Sequence, residues 1–281
     1  METLKNKIDF AVVISVKNAN PNGDPLNGNR PRTNYDGFGE ISDVCIKRKI
    51  RNRLLDMGED IFVQSDDKNV DGFKSLRERA DSCYDLRKLS KEKTKEDYGK
   101  MACERWFDVR SFGQVFAFKG IDVSLGIRGP VSIHSAVSIA PVDISSMQIT
   151  KSVNSEAKEG KASDTMGMKH RVDFGVYLIY GSINTQLAEK TGFSDADAEK
   201  IKEALITLFE NDSSAARPDG SMEVHKLYWW KHNSKTGQYS SAKVHRALNV
   251  NVEKINSLET IVENLSVTNL EGLVVEEYEG L

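Results

Sequence analysis

Apolar residues run almost without a break from Ile8 to Val16 (Ile-Asp-Phe-Ala-Val-Val-Ile-Ser-Val), which predicts a buried strand. The run stops at Lys17-Asn18, and Asn, Pro and Gly then crowd the chain from Asn18 to Pro25 and on through Asn29-Arg30-Pro31-Arg32. Turn residues at this density can neither extend a strand nor start a helix, so a surface loop is expected. Ser42 is placed to cap a helix, with Asp43 in its first turn and Gly58 beyond its end. Between these, Ile46, Ile50, Leu54 and Met57 fall on one narrow helical face.

Asp60 to Gln64 reads as a short strand. The polar stretch from Asp71 to Met101, with Leu76, Leu86 and Leu89 as anchors, reads as an inserted, peripheral helical segment. Trp106 to Gly113 is apolar enough to return to the core. Val123 to Arg128 alternates as a strand and stops at Gly129-Pro130. Val131 to Ile139 alternates with period two, Ile149 to Val153 offers a partner, and Ala140 to Ser146 supplies turn chemistry, so a projecting hairpin is expected. Asn154 to Met168 is small and polar, a composition of flexible segments. His170 to Tyr180 and Val224 to Lys231 are strands by pattern. Ser194 opens a helix with Ala198, Ile201, Leu205, Leu208 and Phe209 as its buried stripe, and Gly272 to Glu279 can form a final edge strand. This order predicts an α+β fold around a mostly antiparallel sheet, without internal repeats.

Charge changes the picture at both ends. The chain of 281 residues has a net charge of −3, yet Ile41 to Arg53 holds five Lys or Arg against one Asp, and Glu253 to Leu281 holds seven Glu against one Lys. On the predicted helix Lys47, Arg48 and Arg51 share a flank, with Lys49 and Arg53 beyond the other edge. Like charges three and four apart repel by roughly 0.2–0.5 kcal/mol per pair, so the cluster fits a polyanion; a solvated basic face fits the pattern as well. Opposite charges at the two ends could let copies pack head to tail, and an acidic solubilising tail is the alternative. Cys45, Cys83 and Cys103 form no Cys-x-x-Cys pair, no signal peptide or transmembrane run occurs, and a cytoplasmic protein without membrane contact is expected.

No phosphate loop, dinucleotide fingerprint, nucleophile elbow or HExxH occurs. The five histidines show no metal-ligand spacing. Asn18-x-Asn20-x-Asn22-Gly23 starts like a calcium loop, but Asn29 at the twelfth position offers no carboxylate, so calcium, metals and cofactors are not expected. Arg110 to Val115 matches the sheet motif of RNA-recognition domains only in part, since its second and fifth positions fail.

Several segments together resemble a known family, the Cas-seven backbone subunits of type I-C CRISPR surveillance (Cascade) complexes. They are Asn18 to Pro25, Asp43 to Asn52, Asp108 to Gly113, Arg128 to Val131, Met166 to His170, Leu187 to Ser194 and Ser214-Ala215-Ala216-Arg217, spread over nearly the whole chain. The resemblance implies a single palm domain over residues 1–281, a modified RNA-recognition (ferredoxin-like) fold. A helical fingers insertion would fall at about 66–101 and a projecting thumb hairpin at about 131–165. It implies a non-catalytic role in antiviral defence: copies stack helically along one CRISPR RNA and display its bases to target DNA. Other copies of the chain, the large subunit and the subunit that binds the repeat handle are the implied protein partners. The implied palm contacts are Asn20, Lys47, Arg48 and Arg51. Arg128 and Lys169-His170-Arg171 flank the thumb, and Asn22, Arg30, Arg110 and His134 complete the candidate RNA-binding set. Two rival readings remain: an endoribonuclease that processes the CRISPR precursor through a histidine, and a calcium-stabilised structural protein.

Overall fold

The structure, a computed structural model, describes residues 2–87, 95–118, 124–150 and 166–281. The first strand, β1 (Ile8–Ala19), extends the predicted run by three residues and ends where Asn18 takes a positive φ of 56°. The loop after it is ordered into β2 (Gly23–Asp24), a 3₁₀ turn at Pro25–Asn27, β3 (Arg30–Pro31) and β4 (Phe38–Ile41). Helix α1 (Asp43–Asp56) starts and stops where its caps predict: Ser42 Oγ accepts from Cys45 N at 3.3 Å, and Gly58 has φ +87°. Ile46, Ile50 and Leu54 are buried, as a 3.6-residue apolar period requires.

Asp60 to Gln64 forms no strand. Its amides turn inward to a carboxylate instead, with Phe62 N and Val63 N donating to Asp108 at 2.7 and 3.1 Å. Helices α2 (Leu76–Ser82), α3 (Lys95–Arg105) and α4 (Phe107–Phe112) follow, then the hairpin of β5 (Gly113–Ala117) and β6 (Ser124–Arg128). Phe62, Ala80, Leu86, Tyr98, Trp106 and Phe116 make a small core of their own here. Leu89 and Val123 lie outside the described residues. Gly113, at φ +81°, and Gly129 lie back to back. A Cβ on Gly129 would meet Ser111 O at 2.3 Å, so both positions need glycine. Arg110 to Val115 therefore crosses a helix end into this hairpin and is not part of the main sheet.

Among the described residues the expected pairing of Val131–Ile139 with Ile149–Val153 does not form: Ile149 and Thr150 pair instead with a later strand, and residues 151–153 lie outside the described residues. Strands β7 (Val131–Ile133), β8 (Ala136–Pro141) and β9 (Ile144–Thr150) lie end to end, each antiparallel to the 18-residue β10 (Met166–Ile183). Ala140 to Ser146 does not reverse the chain: β8 and β9 follow one another along β10, and Pro141 pairs with Phe38 of β4. Residues 151–165 lie outside the described residues; of the stretch Asn154 to Met168 expected to be flexible, Met166 to Met168 instead open β10 and pair with β9. Val131, Ile133 and Ala136 are buried in the main core, so the exposed part of the ribbon begins at β9.

Helix α5 (Thr185–Thr191) and the capping-box helix α6 (Asp195–Ile206) lead to β11 (Met222–Lys231). Short elements α7 (Ser241–His245), β12 (Leu248–Val250) and β13 (Leu265–Val267) precede the edge strand β14 (Val275–Glu279). The main sheet has the order β14-β11-β1-β10-β8-β4, antiparallel throughout. One face of β1 (Phe10, Val12, Ile14) packs with Ile46 and Ile50 of α1 and Ile201 and Leu205 of α6. Its other face (Ala11, Val13) meets Val244, Leu248, Ile261 and Leu273. The acidic C-terminal run is thus a sheet edge whose Glu276 and Glu277 pair with Lys202 and Lys226.

Candidate nucleic-acid interface

Four stretches far apart in sequence meet around the end of β1. Ser42 N donates to Asn22 Oδ1 at 2.9 Å, which seats the start of α1 on the opening loop. Asn20 N donates to Ala216 O at 2.9 Å, which brings in the Ser-Ala-Ala-Arg turn. Arg30 Nη1 donates to Ser146 Oγ at 2.8 Å, and that hydroxyl lies 2.8 Å from His170 Nδ1 on the paired strand. With Arg30 donating to it, the hydroxyl can donate to Nδ1, which leaves Nε2 as the protonated nitrogen. A continuous hydrogen-bonded strip therefore links the exposed ribbon, the loop and the basic helix.

The helix cations are not equivalent. Lys47 is held by Asp43 at 3.0 Å on the surface. Arg51 Nε donates to the fully buried Asp108 at 2.9 Å and its guanidinium stacks on Phe112. Lys49, also buried, pairs with Asp212, and Arg53 donates to Thr207 Oγ1 at 2.6 Å. Arg48 donates to a neutral acceptor, Val63 O, at 2.6 Å. Burial first, and the charge of Arg51 second, press its pKa down, the situation of a cation that gains from an added anion.

Of the remaining candidates, Lys169 and Arg128 are exposed and carry no ion pair among the described residues. Arg171 Nε sits 3.4 Å from Asp173. Arg110 is bound to Asp197 at 2.8 Å and covers the Phe107 ring, away from the strip. His134 is exposed and meets His245 edge-on, also apart from the strip. Asn20 is buried and donates to Asn29 O at 2.6 Å, so it shapes the loop. The arrangement can hold anions along a surface. Among the described residues no three His, Cys, Asp or Glu side chains gather as metal ligands.

Sequence reasoning passed over Arg217, Asn52 and Lys68, which line a cavity with Arg48 and Lys49. The Ser214–Arg217 segment was visible as a motif, but only the fold shows which helix it faces.

The fold and its rim define an α+β protein whose cationic surface is assembled from loop, helix and ribbon. The profile of the family described as CRISPR-associated protein Cas7 matches residues 6–269, and the chain belongs to that family. It is 26% identical over 239 residues to "CRISPR-associated protein Cas7" of Haloferax volcanii, a match covering 76% of this chain and 67% of that one. Among solved structures it is similar to a chain of "CRISPR RNA-guided surveillance complex, pre-nicking", with TM-score 0.49, 16% identity and coverage of 84% and 81% of the two chains. A chain of "CRISPR RNA-guided surveillance complex" is similar at TM-score 0.44 and 14% identity, covering 80% and 68%.

Proposed function

We propose that the protein is a non-catalytic RNA-binding backbone subunit of a type I-C CRISPR surveillance complex. It holds the phosphate backbone of the CRISPR RNA and leaves base pairing with target DNA to supply sequence specificity. Family membership supports the reading, and the observation that carries it is the strip from His170 through Ser146 and Arg30 to the start of α1. Such a strip follows a backbone. Copies stack head to tail along the RNA, a heterologous contact that generates a helix of subunits. The palm is the main sheet in the manner of an RNA-recognition fold, the fingers are the insertion at about 66–101, and the thumb is the ribbon within 131–165. The large subunit and the repeat-handle-binding subunit cap the stack in the cytoplasm.

In the test, purified protein is mixed with repeat–spacer RNA and the RNA is probed chemically. Evenly spaced reactivity on intact RNA, with or without magnesium, is expected. Featureless reactivity would refute helical stacking. A second reading, a precursor-processing endoribonuclease, draws on one observation: His170 stands on the strip with Ser146 and Arg30 beside it. It requires cleavage that tracks the protein and disappears in His170→Ala.

A further inference from the structure

Between α1, the turn at Asp66–Lys68 and the loop 211–217 lies a cavity of about 230 Å³. Its walls include Arg48, Lys49, Asn52, Lys68, Asp212 and Arg217. Three stretches contribute cations, so the cavity is not a by-product of one charged helix. Two carboxylates, Asp67 and Asp212, also face it, and Asp212 binds Lys49. Lys68 is held by Asp56 at 2.8 Å.

Three buried atoms in these walls have no hydrogen-bond partner: Asn52 Oδ1, Arg217 Nε and Ser65 Oγ. The carboxylate oxygen beside Arg217 Nε, Asp212 Oδ2, is 3.4 Å away and already taken by Lys49. Asn52 Oδ1 can only accept and Arg217 Nε can only donate, while the Ser65 hydroxyl can do either. Leaving such atoms buried and unpaired is costly, so the site favours an occupant that both donates and accepts. A bare oxyanion satisfies the arginine but sets a second acceptor against the amide oxygen. A hydroxyl next to an anion satisfies both. In an RNA chain each ribose carries a 2′-hydroxyl beside its 3′-phosphate, and deoxyribose lacks that donor. The cavity is smaller than the ~300–1,000 Å³ pockets that engulf whole ligands, which suits a sugar–phosphate unit whose base stays outside.

We propose that this cavity binds one ribose of the RNA, with the 2′-hydroxyl donating to Asn52 Oδ1 and the neighbouring phosphate accepting from Arg217 and Arg48. It is thereby the place where the protein tells RNA from DNA. The assignment rests on the RNA-backbone reading above and adds sugar selectivity to it. Arg217 and Asn52 are binding residues for the chain, one charge-reading and one hydroxyl-reading.

The test measures fluorescence-anisotropy titrations of the full chain with oligouridine, its 2′-deoxy counterpart and its 2′-O-methyl counterpart. The wild type should prefer oligouridine by about tenfold, the worth of one satisfied hydrogen bond, and 2′-O-methylation should remove most of that preference without any change to the protein. Asn52→Leu should bring RNA affinity down to the deoxy strand's level and leave the deoxy strand unchanged. Arg217→Ala should weaken both strands alike and reduce the salt slope by about 0.7. Equal losses on both strands in Asn52→Leu would mean that the amide donates to phosphate, and would overturn the ribose assignment. Equal wild-type affinity for all three strands would overturn it while leaving RNA binding standing. No binding to oligouridine at low salt would remove the RNA reading and this inference together. A titration with uridine 3′-monophosphate alone separates the sources. Tight binding that Arg217→Ala abolishes, with oligouridine unaffected, would assign the cavity to a free nucleotide and contradict the proposal.

Discussion

The two ends of β1 carry ionisable clusters built on opposite principles. At the first end Asp9, fully buried, accepts from His232 Nε2 at 2.8 Å and from Lys7 Nζ at 2.9 Å. His232 Nδ1 accepts from Gln238 N at 2.9 Å, so both ring nitrogens are committed. His245 donates to Gly181 O at 3.0 Å, stacks on Tyr180 and lies 3.9 Å from the second Asp9 oxygen. At the other end Arg48 holds only a carbonyl, and Asn52 Oδ1 and Arg217 Nε have no hydrogen-bond partner, Arg217 Nε having only the ion-paired Asp212 oxygen at 3.4 Å. A histidine with both nitrogens engaged has no lone pair to offer a ribose hydroxyl, so the first cluster clamps strands together. The second keeps donor capacity in reserve. Charge alone does not separate a binding surface from a structural one: the first cluster leaves only an acceptor unspent, Asp9 Oδ1, whereas the second leaves a donor, Arg217 Nε.

Removing the shared acceptor of the first cluster should have the largest effect. Asp9→Ala leaves Lys7 and His232 without their shared acceptor and should cost about 3–5 kcal/mol in urea unfolding. A near-normal midpoint would show that the cluster clamps nothing. On α1 the contrast can be sharpened within one helix. Arg51→Ala exposes the need of buried Asp108 for a cation and should cost about 2 kcal/mol, tempered by the two amides that also serve that carboxylate. Lys47→Ala, Arg128→Ala and Lys169→Ala should each stay within about 0.5 kcal/mol. Equal costs for Arg51 and Lys47 would erase the distinction between engaged and available cations.

The smallest effect is one of pH. Burial, the leading cause in both cases, lowers the pKa of His225 and His245 below the ordinary 6.5. The unfolded chain then binds protons at a higher pH than the folded one, so stability is full above about pH 6.5 and falls as pH drops below it. Urea midpoints between neutral and mildly acidic pH should show this decline, and His245→Gln should flatten it. A midpoint that rises on acidification would contradict the neutral, buried state of these rings.

Local patterns reached far into the fold. Strand β1, helix α1 with its Ser42 cap, and helix α6 with Ser194 stand where spacing and caps place them. Two segments misled, for the same reason. Asp60 to Gln64 has strand composition, but Asp108, 45 or so residues on, takes its amides. Val131 to Thr150 looks like two hairpin arms because period-two alternation does not say which strand is the partner; β10 is long enough to serve both. The candidate surface was legible as far as its charges: Arg30, Lys47, Arg48 and Lys169 were visible, yet nothing local shows that Arg51 and Arg110 are committed to Asp108 and Asp197. Asn52 and Arg217 were invisible as a pair, since 165 residues separate them in the chain and the cavity joins them.

The salt dependence of RNA binding tests the central claim most directly. Oligouridine affinity is measured across a range of salt for the wild type and for a Lys47/Arg128/Lys169→Ala variant, with RNA integrity checked by gel. The account predicts an intact fold, uncut RNA, and a slope of log K against log salt smaller by about 0.7 for each phosphate no longer neutralised, roughly 2 in total. An unchanged slope with unchanged affinity, on a folded variant, would mean that these cations only face solvent and would contradict the account.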